Sequence, residues 1–502
     1  MNHHPFRSLT QRSLQRWTCL AAVSGWLLAG CAGFAPDQPA LPDTPLPGQW
    51  TGAAPEPAVG VTTPTDLSRW WERFDDPLLT QLITQALDAN TSVRSTAAAL
   101  QQARALRDVQ AAGLGPTLGA SGSGQRSRAG DADATNRFQA GFDASWEPDV
   151  FGGGRSALNA SEADARAAET ALADVRVSLA AEVAVTYIEL RSLQNRLAIA
   201  GRNLALQTET LQITRWRVQA GLASSLDLEQ AKAASEQTAA QLPSLQTGAA
   251  QALSALAVLT GQAPGLLQAD LQRSLASVGP VPSAPATLAL AFPADTLRQR
   301  PDVRTAEQRV QAALARVAQA DAARYPSFRL TGSLGLNALT LSGLGSGAAV
   351  TQALLASVSV PLFDGGAAAA RVEAQQAALE QARNAYQGAV LTALKDVDDA
   401  LVSLRGNRER LVRLQAASDA AANAELLARQ RFESGLIDFR AVLDTQRTLL
   451  STQDGVASTQ ASVSADLVRL YKALGGGWSP DTPAASTSAT ASDAPPRAPT
   501  GR

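Results

Sequence analysis

Histidine and cysteine are almost absent from this chain. Its 502 residues include two of each, His3, His4, Cys19 and Cys31, all within the first 31 positions. If that stretch is a cleaved leader, what remains has no histidine and at most one cysteine. Imidazole–thiolate metal sites, histidine acid–base catalysis and disulfide redox chemistry are then excluded. Carboxylate-only chemistry stays open. Aromatic residues make up only 5% of the chain. Past the N-terminal segment no uncharged apolar run is long enough for a transmembrane helix. A membrane-spanning form would therefore have to be a closed β-barrel. The formal net charge of −2 offers nothing to a polyanion, so no nucleic-acid partner is expected.

What is abundant is small and helix-favouring. The chain is 45% hydrophobic, and alanine dominates that fraction. With Leu, Gln, Arg and Glu, this composition favours long helices over a compact mixed core. The N-terminus reads as a targeting signal: Arg7, Arg12 and Arg16 precede an uncharged, largely apolar stretch over 18–30. That stretch ends Leu28-Ala29-Gly30-Cys31, small residues before a cysteine, which resembles the bacterial lipobox. In such signals the cysteine is acylated and becomes the new N-terminus. Several acyl chains, at about 0.8 kcal/mol per buried methylene, make a stable anchor. Ala32, where lipoproteins retained at the inner membrane often carry Asp, favours the outer membrane by the same resemblance.

Residues 32–65 are rich in Pro, Gly, Ala and Thr and read as an extended linker, and 478–502 are similarly biased. Between them lies an internal repeat. AAGLGPTLGASGSG around Pro116 matches AARYPSFRLTGSLG around Pro326, and RVQAGLASSLDLEQAK around Gly221 matches RFESGLIDFRAVLDTQ around Gly435. The unit is far longer than a solenoid repeat. Each copy reads helix, strand, strand, long helix, turn, long helix.

Phe138, Ala140, Phe142, Ala144 and Trp146 alternate with polar or small residues, as do Phe328, Leu330, Leu334 and Leu336. Period two puts the apolar residues on one face. A lipid-facing barrel wall and a soluble sheet over a core alternate alike. Two strand pairs cannot close a barrel with a watery interior, so either the sheet is small and soluble or several chains pool their strands. Gly152, Gly153 and Gly154, and Gly365 and Gly366, follow the second strand of each pair and suit a sharp strand-to-helix turn.

Heptads mark the long helices. Val183, Leu190, Leu197, Leu204, Leu211 and Val218 recur every seven residues, as do Val390, Val397, Leu404 and Leu411, and Val442, Leu449, Val456, Val463 and Leu470. Such repeats predict left-handed coiled-coil packing. Gly221 and Gly435 end the rods, where a left-handed cap is easy. Trp70 and Trp71 suit interior packing better than a membrane interface, whereas Trp146 and Tyr325 flank strands and suit the interface.

Taken together, several segments resemble the outer-membrane factor (TolC-like) family, in its lipoprotein branch that serves resistance-nodulation-division efflux pumps. They are the lipobox, WWERFDDPLL (70–79), SWEPDVFGGGR (145–155), RPDVRTAEQRV (300–310), YPSFRLTGSLG (325–335), SVPLFDGG (359–366) and GLIDFRAVLDTQRTLL (435–450). The likeness runs from Cys31 to about Leu474. It implies an α+β membrane protein: a homotrimer whose protomers each give four strands to a twelve-stranded outer-membrane β-barrel, continued by a long periplasmic α-helical coiled-coil barrel. The expected organisation is a leader (1–30), anchor and linker (31–65), first repeat (66–261), equatorial connection (262–300), second repeat (301–474) and equatorial or disordered tail (475–502).

The resemblance also implies a passive exit duct for small molecules. It would work with a periplasmic adaptor and an inner-membrane pump of the resistance-nodulation-division type, and would sit in outer-membrane lipid through Cys31 with no other cofactor and no catalytic residue. Its gate would lie at the periplasmic tip. Asp444 matches the family's lumen-facing Asp, with Arg447 as basic partner and Arg440 where the family often has an apolar residue. Asp227 and Glu229 flank the first hairpin turn. Gly221, Leu222, Gly435 and Leu436 are candidates for the turns and for adaptor docking. A type I secretion outlet and a structural coiled-coil lipoprotein are the competing readings. The strands' polar face favours a duct over a scaffold, and the missing histidines argue against a periplasmic enzyme. Cys31→Ser is expected to weaken membrane attachment without abolishing oligomer formation. Unchanged retention in the membrane fraction after a high-salt wash would show the anchor to be dispensable.

Overall fold

The computed structural model describes residues 67–266, 269–283 and 294–478. The leader, Cys31, the linker to residue 65, parts of the 262–300 connection and the tail from residue 479 lie outside the described residues. A short 3-10 turn at Trp70–Phe74 leads into α1 (Pro77–Ala89) and α2 (Thr91–Gly113). Strands β1 (Thr117–Ser127) and β2 (Thr135–Trp146) follow, then α3 (Gly153–Gln219), α4 (Ser225–Ala239), α5 (Gln241–Leu259) and α6 (Ala269–Ala276). The second half gives α7 (Pro301–Ala322), β3 (Ser327–Ala338), β4 (Val350–Ser359), α8 (Ala367–Glu433) and α9 (Phe439–Ala473). The elements divide between two compact units.

The first unit comprises residues 99–168 and 305–387 and contains the sheet. Its strands form an antiparallel meander in the order β1-β2-β3-β4. The registers Phe142↔Leu334, Ala140↔Leu336 and Trp146↔Leu330 align the apolar residues of β2 and β3 on one face, as their alternation predicts. β4 continues that face, with Leu334 opposite Gln352 and Leu330 opposite Ala356. On the other face Ser121 donates to Asp143 at 3.1 Å, and Arg329 pairs with Glu147 at 3.1 Å. Gly141 and Gly335 oppose each other there, and a Cβ on Gly141 would lie 2.8 Å from the Gly335 Cα. Only glycine allows β2 and β3 to approach so closely.

The turns out of the sheet are capped by aspartate. Asp149 accepts from the Gly154 and Arg155 amides (3.0 and 2.7 Å) at the start of α3. Asp364 accepts from Gly366 and Ala368 (2.9 and 2.7 Å) at the start of α8, and these bonds hold its carboxyl below the usual range. Gly152, Gly365 and Gly366 take positive φ as these turns require. Gly153 does not, being the first residue of α3. Gly154 packs closely instead: a Cβ there would meet the end of the Leu114 side chain at 2.6 Å and displace it.

The second unit holds α1, α4, α5, α6, α9 and the distal parts of α3 and α8, and its largely aliphatic core carries an aromatic cluster. Trp70 and Trp71 are interior, not interfacial: Trp70 stacks on Tyr471 at 5.5 Å and meets Phe74 edge-on. Asp76 caps α1 by accepting from Leu78 and Leu79, with Pro77 at the first helical position. The second Asp76 oxygen accepts from the Tyr187 hydroxyl at 2.9 Å, and that hydroxyl accepts from Arg191 Nε at 3.1 Å. Arg191 also reaches the carbonyls of Ser274 and Ser277, tying α3 to α6 and the residue that follows it. The RPDVR segment has a similar logic. Pro301 opens α7, while buried Arg300 donates to Asp302, Asp396 and the Ala473 carbonyl (2.8, 3.1 and 2.8 Å). Gly475–Trp478, placed above in the tail, belong to this packing: the Gly477 amide donates to Leu67 O, and Arg304 lies over Trp478.

One helical expectation needs correction. The first hairpin's return arm is two helices, α4 and α5, divided at Ala240, whereas the second's is the single α9. Pro243 explains the difference: its ring has no N–H to donate and clashes with the carbonyl four residues back. The matching position in α9 is Ala457.

Burial pushes the Tyr187 phenol up from 10.0 to about 12; Arg191 opposes it, and the charge of Asp76 and its hydrogen bond add to the rise. The stability carried by the neutral phenol is therefore complete below pH 10 and is lost as pH climbs through about 12. In an ultraviolet titration, one of the four tyrosines should ionise near pH 12, and Tyr187→Phe should remove that step. A variant with an unaltered late step would show that another tyrosine is responsible.

Candidate functional site

Two surfaces carry the candidate function, one in each unit. In the first unit it is the sheet. Its apolar face is uncovered among the described residues, with Leu118 74% exposed, Phe142 57% and Leu354 77%. β1 and β4 are both edge strands, and among the described residues no helix covers them. Aromatic rings gather at the end of the sheet where the helices join it. Phe151 stacks on Tyr325 at 5.0 Å and approaches Phe328, and Trp146 Nε1 donates to Leu114 O at 3.1 Å. Such amphipathic rings beside an apolar band suit a membrane–water boundary.

In the second unit the site is the pair of hairpin tips. α3 and α8 end alike. The Gly221 amide donates to Val218 O and Leu222 N to Arg217 O; Gly435 N donates to Phe432 O and Leu436 N to Arg431 O. These are two Schellman caps, with φ of +71° at Gly221 and +73° at Gly435. Neither glycine would meet another atom within 4 Å if it carried a Cβ, so conformation alone demands glycine. Leu222 and Leu436 stand exposed beyond them. Behind the tips Ala231, Ala234, Ala428, Phe432, Phe439, Val442 and Leu443 form a small apolar core.

The acidic candidates separate. Asp444 and Arg447 are 3.8 Å apart and largely exposed, 70% and 56%. They form a loose pair one helical turn apart on α9, and Arg440 is exposed on the same helix. Asp227 is otherwise engaged: it forms a capping box with Ser224 at the start of α4. Glu229 is exposed on that helix. Cys31 lies outside the described residues.

Two features escaped the sequence reading. Toward the tip, the interior line of α3 is not the apolar heptad, for Leu197, Leu204, Leu211 and Val218 are only half-buried. Asn203, Gln207, Thr210 and Thr214 are buried in their place, at spacings of four, three and four. Against α9, Asn203 donates to Gln453 and Gln446 donates to Thr210, both at 3.0 Å, while Arg196 grips Asp454. The side-chain oxygens of Gln207 and Gln446 have no donor. The spacing was visible in the sequence, but an apolar search passes over amides and hydroxyls. A polar coiled-coil seam fixes register at a cost in stability, so this contact parts more easily than an apolar one. The second feature is Arg217, which donates from α3 to the Phe432 and Glu433 carbonyls at the end of α8 (3.0 and 3.2 Å).

An amphipathic meander with open edges, joined in sequence to long coiled-coil helices with exposed apolar tips, defines the class of outer-membrane ducts. The family model for outer membrane efflux proteins matches residues 82–262 and again 292–476, and the chain belongs to that family. It is 32% identical to the solvent efflux pump outer membrane protein SrpC of Pseudomonas putida over 90% of this chain and 97% of that one. It is also 32% identical to the outer membrane protein OprJ of Pseudomonas aeruginosa, over 91% and 96%. The solved outer-membrane channel OprN superposes with a TM-score of 0.79 at 35% identity, covering 88% of this chain and 99% of that one.

Replacing the seam pair by apolar residues, Thr210→Val with Gln446→Leu, removes an unpaired buried oxygen and should raise stability by about 1–3 kcal/mol. Thermal denaturation checks this. A lower melting temperature would mean the polar seam is already optimally satisfied.

Proposed function

We propose that this protein is the outer-membrane exit duct of a tripartite small-molecule efflux system, built as a homotrimer. The carrying observation is the sheet: four strands, one apolar face open and two edges unpaired. Four strands cannot surround a watery lumen, and unpaired edges cannot persist in hydrocarbon, where each lost backbone hydrogen bond costs several kcal/mol. Three copies, each pairing β4 with the neighbour's β1, give a closed twelve-stranded barrel with its apolar face to lipid. The meander makes this junction antiparallel like the others.

The coiled-coil helices then continue the path into the periplasm, and the exposed tips meet a periplasmic adaptor that links the duct to an inner-membrane pump. Relatives described as efflux pump outer membrane proteins support this assembly. Acyl chains on Cys31 add a second hold on the membrane. The gate lies at the tips, where three Asp444 carboxylates ring the aperture with Arg447 beside them and favour cations.

Single-channel recording of purified protein in a planar bilayer, wild type beside Asp444→Ala, tests the reading. Discrete conductance steps with cation preference are expected, and Asp444→Ala should enlarge the step or reduce that preference. Steps indifferent to the substitution move the gate away from Asp444. Folded trimers that never conduct, even with the adaptor present, would overturn the duct.

A further inference from the structure

The two halves of the chain are related by a repeat, and the repeat assigns an unmet contact. At the tips the correspondence is close. The Arg-x-x-x-Gly-Leu segment of α3, Arg217 to Leu222, matches Arg431 to Leu436 of α8. Both segments end in Schellman caps with the same donor–acceptor pattern. Arg217 and Arg431 therefore occupy the same place, in the last turn of their helices.

Their surroundings differ. Arg217 is satisfied: it donates to the Phe432 and Glu433 carbonyls (3.0 and 3.2 Å), and its guanidinium lies 4.1 Å over the Phe432 ring. It thus supplies a cation to the C-terminal end of α8, where the last carbonyls lack helical partners and the helix dipole is negative. The Arg431 side chain is exposed and has no hydrogen-bond or ion-pair partner among the described residues. Applying the repeat to the Arg217 contact gives its target. The residues matching Phe432 and Glu433 are Val218 and Gln219, at the end of α3.

Within one copy, α8 already receives its clamp from α3. In a closed ring of alternating α3 and α8 ends, the next α3 end beyond α8 belongs to the following copy. We propose that Arg431 clamps the Val218 and Gln219 carbonyls of a second copy of this chain, so that arginine clamps alternate within and between protomers around the tip. This rests on the trimeric duct proposed above. The two kinds of clamp are unequal. Val218 has no ring where the within-copy clamp has Phe432, so the contact between copies lacks the cation–π component and is the one that yields when the aperture widens.

Full-length protein carrying Gln219→Cys and Arg431→Cys, treated in detergent with a short bismaleimide, should give covalent trimers on a denaturing gel that neither single variant gives. The companion pair Arg217→Cys with Glu433→Cys should join within one chain and leave the monomer mass. Native mass spectra of the same samples report assembly separately. Native trimers without an inter-chain product from the 219/431 pair would overturn the clamp and leave the trimer standing, whereas native monomers would overturn the trimer itself. In bilayers Arg431→Ala should give a larger conductance step than wild type, and an unchanged step counts against the clamp.

Discussion

Backbone amides and carbonyls at the two edges of a four-stranded sheet have to find partners, and this requirement organises much of the molecule. In water an exposed edge can hydrogen-bond to solvent. In hydrocarbon it cannot. A strand meander that exposes Leu118, Phe142 and Leu354 on one face is suited to hydrocarbon, so its edges β1 and β4 must meet other strands. In the proposed trimer, association is a condition of folding rather than an addition to it. The aspartate caps at Asp149 and Asp364 convert each outgoing strand into a long helix at a defined turn. Each strand pair thereby passes directly into a long helix without an intervening domain.

Duplication supplies the second constraint. Pro116 and Pro326 open β1 and β3 at a spacing of 210, while Gly221 and Gly435 close α3 and α8 at 214. The difference lies in the hairpin loops. Residues 128–134 join β1 to β2, and the longer stretch 339–349 joins β3 to β4. The strands and long helices have kept a common frame while the loops at the far end of the sheet diverged. That pattern fits a wall whose registry is constrained and a rim whose sequence is free. Because the frame is kept, a residue in one half has a definite counterpart in the other, as Arg217 has in Arg431.

Much of this was legible in the residues. Alternation in β2 and β3 revealed the sheet's faces because a strand's period is rigidly two, and the register aligns them as expected. The Gly-Leu tips were legible because a left-handed cap almost requires glycine. The doubled tryptophan was assigned to the interior, and Trp70 does stack on Tyr471. The helical seam was less legible. The apolar heptads of α3 run from Val183 to Val218, whereas its distal interior is lined by Asn203, Gln207, Thr210 and Thr214. A heptad shows that a helix packs but not which of two adjacent stripes is inside. Nor could Arg217 be recognised as a clamp, since its carbonyl acceptors on Phe432 and Glu433 are more than two hundred residues away. The position of Asp227 beside the first hairpin turn suggests a gate, and only the geometry shows its carboxylate closing a capping box with Ser224.

Pro243 makes the two hairpins mechanically unlike. The first has a return arm with a joint at Ala240, while the return arm of the second is one unbroken helix from Phe439 to Ala473. Bending stiffness in a helix comes from its continuous ladder of hydrogen bonds, and the proline interrupts that ladder. A load applied at the tips therefore bends the first hairpin before the second. The stiff hairpin acts as a strut and the jointed one as a flexure, so the chain carries its own hinge and its own stop.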